Sequence, residues 1–396
     1  MLRKYLDKIK PNFEPDGKLH AFRSVFDGFE TFLYTPRSTS QSGVHVHDSL
    51  DSKRVMIIVV AALMPCLLFG MYNAGYQNFI GSGISDLNFW SIMLYGFLAI
   101  LPKILVTYIV GLGIEFVVAQ WRGEEIQEGF LVTGILVPLI CPITTPLWML
   151  AVATAFSVIF VKEVFGGTGF NIFNVALVTR AVLFFGYPAQ MSGDRAFISA
   201  EPICGLGGTV HYSDAFTGAT PLGQIANGAS AATDAAGNIL STWNAFLGLY
   251  PGSFGETSTL CVLIGAAILL ATGIASWKIM ASVFAGGLFM GWIAYTFQSP
   301  LYPGSALQPI DQLVYGGFAF AAVFMATDPV TAARTGVGKY IYGFLVGVIA
   351  IIIRVYNNGY PEGAMLAVLL MNALAPLIDY CVVQANISRR MKRTLR

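Results

Sequence analysis

The sequence predicts an all-α integral membrane protein of about ten transmembrane helices, in two inverted five-helix halves with broken or re-entrant segments. Three observations lead there. The 396 residues are 55% hydrophobic and only 11% charged, whereas a soluble chain carries about 25% charge. About ten apolar runs approach the ~20 residues that a span requires. One long, nearly uncharged segment, 188–258, divides those runs five and five, and an odd number per half turns the second half over relative to the first.

Residues 1–53 are polar and hold no apolar core of a signal peptide, so they predict a cytoplasmic extension. Its aromatic residues Phe13, Phe22, Phe26, Phe29 and Phe32 suit either a membrane surface or a packed cap. The first half, 54–187, contains the runs 54–74, 97–121, 128–142, 147–164 and 170–187. The apolar stretch 88–120 exceeds one straight span; it tilts, breaks near Pro102, or lays 88–97 in the interface. The run 128–142 is short and ends in Cys141-Pro142-Ile143-Thr144-Thr145-Pro146, the pattern of a half-helix. The second half, 259–384, contains 259–276, 278–296, 309–327, 340–356 and 361–383, and 385–396 is a basic tail.

Charge sets the orientation. Nine Lys or Arg fall in the first 54 residues, and Arg389, Arg390, Lys392, Arg393 and Arg396 close the chain. Both termini are therefore expected in the cytoplasm. Loops with Arg122, Lys162, Lys278, Arg334 and Lys339 fall on the same side, while 188–258, with Arg195 alone, falls outside. The net charge of +1 says nothing about partners, and no nucleic-acid partner is expected. The five cysteines form no CxxC pair and the four histidines lie outside the runs, so the sequence predicts neither a cysteine-held cluster nor an intramembrane haem.

Each half has one polar, Gly-rich interruption, Lys162 through Asn174 and Asp328 through Lys339. Irregular backbone at membrane depth is tolerated where it is buried or lines a cavity, so the two breaks predict a central site between the halves. Gly166-Gly167-Thr168-Gly169 reads as an anion-binding backbone nest or as a tight turn. Asn171 and Asn174, three apart, are expected on one face of the next helix, for a ring edge or for helix–helix hydrogen bonds. Glu128, Asp328 and Asp379 are carboxylates in or beside apolar runs, candidates for a cation path or for helix caps and interfacial exposure. Arg180 and Arg334 are available to pair with buried acids or to mark the inner interface. Asp214 followed by Thr217-Gly218-Ala219-Thr220 offers either an accessible hydroxyl between small neighbours or a turn into a helix starting near Pro221.

Taken together, Glu128-Gly129-Phe130, Lys162 through Gly169, Asp214 through Thr220, Ala326 through Val330, Asp379-Tyr380 and Val383 through Ile387 carry a resemblance that covers most of the chain. It is to the B subunits of the sodium-pumping NADH:quinone oxidoreductases, the Nqr complex, and more distantly to the D subunits of Rnf complexes. The resemblance implies FMN joined by a phosphoester to Thr220 on the periplasmic side, with Asp214, Thr217, Gly218 and Ala219 around it. It further implies noncovalent riboflavin, ubiquinone as substrate, Na+ passing Glu128, Asp328 and Asp379, and a place in the bacterial inner membrane beside Nqr subunits A, C, D, E and F. Contact of Asn171 and Asn174 with that riboflavin is expected from their amide chemistry rather than from the resemblance. The chain has no dinucleotide-binding fingerprint, so NADH oxidation belongs on another subunit. The alternatives are an Rnf-type D subunit and a passive small-solute channel of the same architecture.

Overall fold

The computed structural model describes residues 52–394 apart from 85–86, 124–128, 192–195, 211–217, 230, 235–236 and 358, together with positions 6, 8–13, 17, 23, 26, 30 and 43. Most of the expected aromatic extension, including Phe22, Phe29 and Phe32, lies outside the described residues; Phe13 and Phe26 stack at 4.6 Å.

Every apolar run becomes helix, but not every helix has full length. In the first half the order is α1 (Ser52–Gly81), α2 (Phe89–Arg122), α3 (Phe130–Ile140), α4 (Leu147–Ser157) and α5 (Val175–Gly186). A six-residue helix, α6 (Pro221–Ala226), lies in the connecting segment. The second half contains α7 (Thr259–Ala271), α8 (Trp277–Thr296), α9 (Pro309–Val314), α10 (Phe318–Phe320), α11 (Gly336–Tyr356) and α12 (Ala364–Thr394). Among the described residues five helices are long and apolar enough to cross a membrane: α1, α2, α8, α11 and α12.

The 88–120 stretch is one uninterrupted helix. Asn88 caps α2 by accepting from the Trp90 amide at 3.1 Å, the helix runs through Pro102, and Gly123 ends it at φ 68°. Its 34 residues span about 51 Å, so the excess over a ~30 Å hydrocarbon core calls for tilt. Trp90 and Trp121, at its two ends, are 76% and 84% exposed, the placement of interfacial aromatic anchors.

By contrast, α3 reaches only about 17 Å and stops where Cys141 turns extended before Pro142. The 309–327 run, expected as one span, is cut at Tyr315-Gly316-Gly317, Gly316 having φ 68°. Two π turns, absent from the sequence reading, follow: α4 continues as π over Val158–Glu163, and α10 continues as π over Ala321–Met325. Each runs into one of the two breaks.

The halves repeat one packing scheme. In both, the second helix packs on the third and fourth elements and the fourth packs on the fifth. The halves join through α1 against α7 and α5 against α12. Small residues permit the closest approaches: a Cβ on Gly96 of α2 would lie 1.8 Å from the Met71 carbonyl of α1, and one on Gly347 of α11 would lie 2.2 Å from the Val283 carbonyl of α8. Lipid supplies no hydrophobic drive between helices, so such backbone proximity is a main source of their cohesion.

Candidate functional site

The two breaks line one cavity of about 120 Å³. Lys162, Thr168, Asn171 and Asn174 reach it from the first half, and Phe324 and Asp328 from the second. Asn174 joins them: its Oδ1 caps α5 by accepting from the Ala176 amide at 3.0 Å and the Leu177 amide at 3.3 Å, and its Nδ2 donates to Asp328 Oδ2 at 3.1 Å. Asp328 also accepts from the Val330 amide at 3.0 Å and the Thr331 hydroxyl at 3.2 Å. It therefore shapes its own turn and ties that turn to the other half.

The asparagines do not share a helix face, because α5 begins only at Val175. Asn171 stays in the preceding loop, accepting from the Gly169 amide at 3.3 Å and donating to the Phe173 carbonyl at 2.9 Å. Thr168 Oγ1, in contrast, is buried with no hydrogen-bond partner. Nor does the Gly-rich turn leave an open nest. The Gly166 amide donates to the Glu163 carbonyl and the Gly167 amide to the Lys162 carbonyl, so the turn closes the π segment's own C-terminus. Gly166, Gly167 and Gly169 have φ of 114°, 94° and 94°, which a side chain would oppose. Behind the cavity wall Lys162 pairs with Glu115, both buried, and Glu115 Oε2 has no hydrogen-bond partner.

Asp379 is held apart from this cavity. It accepts from the Arg334 amide at 2.7 Å, the Thr335 amide at 3.0 Å and the Thr335 hydroxyl at 2.5 Å, while Thr335 caps α11 through the Gly338 amide at 3.1 Å. Asp328 and Asp379 thus pin opposite ends of one loop. Glu128 lies outside the described residues, next to the cavity-lining Gly129.

Thr220 lies in the segment between the halves. It is the N-cap of α6, with Oγ1 accepting from the Gly223 amide at 3.1 Å and Pro221 in the first helical position. The hydroxyl expected to be accessible belongs to a residue only 9% exposed. Gly218 has φ 73° and Ala219 is buried; Asp214 and Thr217 lie outside the described residues. Gln224 fastens this turn: its Nε2 donates to the carbonyls of Ala219 at 3.0 Å and Thr233 at 3.1 Å, and its Oε1 accepts from the Thr233 amide at 2.7 Å.

Directly against Thr220 lies a small cleft that Tyr250, Ser253, Glu256 and Glu362 also line. Arg180, 2% exposed, bridges the two acids, with Nη1 to Glu256 Oε2 at 2.9 Å and Nη2 to Glu362 Oε2. The Tyr250 hydroxyl accepts from the Gly316 amide at 3.2 Å, and burial pushes that phenol's pKa up. The sequence marked Arg180 as a partner for acids but did not identify Glu256 or Glu362, which lie 76 and 182 residues away. Glu115 and Lys103 were missed as well. Ionisable residues inside an apolar run were the available signal.

Comparison with known proteins decides the family. A sequence model of the NQR2, RnfD, RnfE family matches residues 39–388. The chain belongs to that family. Among its relatives, the B subunit of the Na(+)-translocating NADH-quinone reductase of Chromohalobacter salexigens is 45% identical over 413 residues, covering 99% of this chain and 96% of the relative. The protein of the same name from Pseudomonas paraeruginosa is 43% identical over 414 residues, covering 99% of each. That from Azotobacter vinelandii is 42% identical over 417 residues, covering 100% of each. The matched span takes in both halves and the segment between them, so the all-α membrane architecture is that of the NQR2, RnfD, RnfE family.

Proposed function

We propose that this chain is the membrane-embedded B subunit of a sodium-translocating NADH:quinone oxidoreductase, with FMN esterified to Thr220, riboflavin held noncovalently, and ubiquinone reduced as Na+ is exported. In this reading it works in the bacterial inner membrane with Nqr subunits A, C, D, E and F, both termini cytoplasmic and 188–258 periplasmic. The observation that carries it is the full-length identity, 42–45%, to proteins named for that activity.

The residues around Thr220 fit a phosphoester. Within the chain, Thr220 Oγ1 acts as the acceptor of its cap bond, which uses a lone pair and leaves the position of the hydroxyl hydrogen available for substitution. Gly218 and Ala219 keep bulk away, and Gln224 fixes the turn's geometry. Bound flavins supply electron transfer, and the protein's part is to place and tune them. For riboflavin, the cavity between the breaks offers the unpartnered Thr168 hydroxyl, one remaining Asn174 N–H and the apolar wall of Phe324 and Leu136. For Na+, an oxygen-seeking cation, Asp328 is the acid that the cavity reaches, with Glu128 and Asp379 proposed at its approaches.

An Rnf-type D subunit is a second reading, because the family description includes RnfD; the names of the full-length relatives favour the first. The test is Thr220→Val in the assembled complex. The parent's denatured band should fluoresce under ultraviolet light and the variant's should not. A parent peptide spanning Thr220 with its bare mass would refute the flavin assignment and return the chain to the channel reading.

A further inference from the structure

Two buried cations have no carboxylate side chain within salt-bridge distance among the described residues. Lys103, within α2, is 6% exposed and its Nζ donates to the main-chain carbonyl of Ile143. Arg354, late in α11, is 3% exposed; Nη1 donates to the Gln312 carbonyl and Nη2 to the Glu362 carbonyl at 3.3 Å. Ile143 lies just beyond the end of the half-helix α3, and Gln312 lies in the short α9. Since α3 and α9 are the third elements of their halves, each half hangs one cation on a carbonyl in, or just beyond, its interrupted helix.

A positive charge removed from water persists only where dipoles or anions replace the solvent. Ile143 lies in the turn three residues past α3, so its carbonyl is not one of the helix's own, but it follows directly on the last carbonyls that carry the helix's negative pole. Other protein donors occupy the neighbouring carbonyls: Leu139, in the last turn of α3, accepts from the Gly255 amide at 2.7 Å, Cys141 from the Phe254 amide at 3.4 Å, and Pro142 from the Thr145 hydroxyl at 3.0 Å. Ile143 is left to the lysine. An ammonium and a desolvated alkali cation demand the same thing, a small shell of oxygens. Broken helices that turn C-terminal carbonyls towards a monovalent cation are a recurrent device of transport folds.

We propose that the turn just beyond α3, where Ile143 presents its carbonyl, is a binding place for a small monovalent cation and that the Lys103 ammonium is its tethered occupant, which a passing cation displaces. The inference rests on the sodium-translocating reading. Lys103→Met keeps the apolar stem and removes the charge; Lys103→Arg keeps the charge. In the assembled complex, quinone reduction is followed while NaCl replaces choline chloride at constant ionic strength. Without the competing charge, Lys103→Met should reach half-maximal sodium stimulation at a concentration at least about five-fold lower, the lower end of usual couplings between sites. Lys103→Arg should stay near the parent value. Assembly of Lys103→Met in NaCl but not in choline chloride would equally support the site, since sodium would then be replacing the missing ammonium. An unchanged sodium constant in Lys103→Met, an equal shift in Lys103→Arg, or failure of Lys103→Met to assemble in either salt overturns the proposal, and the amine is then only a prop for α3. A parent complex without sodium stimulation refutes the sodium reading itself, a result distinct from each of these.

Discussion

Replacing Arg180 by methionine removes the shared counter-ion of Glu256 and Glu362 while nearly preserving the buried stem. Arg180 is 2% exposed, and the side chains of the two acids are 4% and 14% exposed. Deleting one partner of a buried ion pair costs about 3–5 kcal/mol, most of it from the charge left behind. Two carboxylates share one guanidinium here, and one of them can relieve itself by taking a proton, so the sum stays near that range. At about 2–4 °C per kcal/mol for chains of 150–250 residues, and less for longer ones, Arg180→Met should unfold roughly 5–10 °C below the parent. The assay is tryptophan fluorescence of the detergent-solubilised complex, heated at one fixed scan rate because unfolding of such assemblies is irreversible. The control is Arg180→Met combined with Glu256→Gln and Glu362→Gln. Neutralising both acids removes the stranded charge, so the triple variant should recover most of the loss. A single variant within about 2 °C of the parent, or a triple variant no more stable than the single one, would refute the account.

Three other expectations follow from the same geometry. Asp328→Asn and Asp379→Asn should each lower sodium stimulation of turnover while the flavin fluorescence of the band persists, and Asp379→Asn, which weakens acceptance from the Arg334 and Thr335 amides, should in addition lose about 1 kcal/mol of thermal stability; unchanged sodium dependence in either would remove that acid from the ion path. Gln224→Ala breaks the bonds that hold the Thr220 turn, so covalent flavin measured by in-gel fluorescence should fall below parent level at equal protein; full labelling would show that the turn needs no clamp. Gly347→Val places a side chain against the Val283 carbonyl, so the complex should fail to accumulate in membranes; normal yield would contradict the close packing of α8 and α11.

Much of this fold can be read from hydropathy, because lipid imposes one length and one polarity on every span. The half-helix α3 was legible from its short run and from Cys141-Pro142. The meeting of the two breaks was legible because polar loops at membrane depth need a shared interior. Other features left no local trace. A π turn adds one residue without changing composition, so Val158–Glu163 and Ala321–Met325 look like ordinary apolar helix. The partner of Arg180 depends on which distant loop folds under it, and neither Glu256 nor Glu362 stands in a recognisable pattern. The Gly-rich turn has the composition of an anion nest, but the Gly166 and Gly167 amides are consumed by carbonyls a few residues back and the Gly169 amide by the Asn171 side chain. At Thr220 the sequence located the turn and the helix start, but accessibility depends on the fold around it, and that fold buries the residue.

The paired π turns carry a consequence for inheritance and engineering. Each is in effect an insertion inside a helix. Excising one residue between 158 and 163 would let the backbone wind regularly, and local hydrogen bonding would improve. Everything downstream would then swing by about 100° around the axis, turning Lys162 away from Glu115 and the glycine loop away from the opposite half. Deletions here are thus a class of lesion in which the helix gains and the catalyst loses.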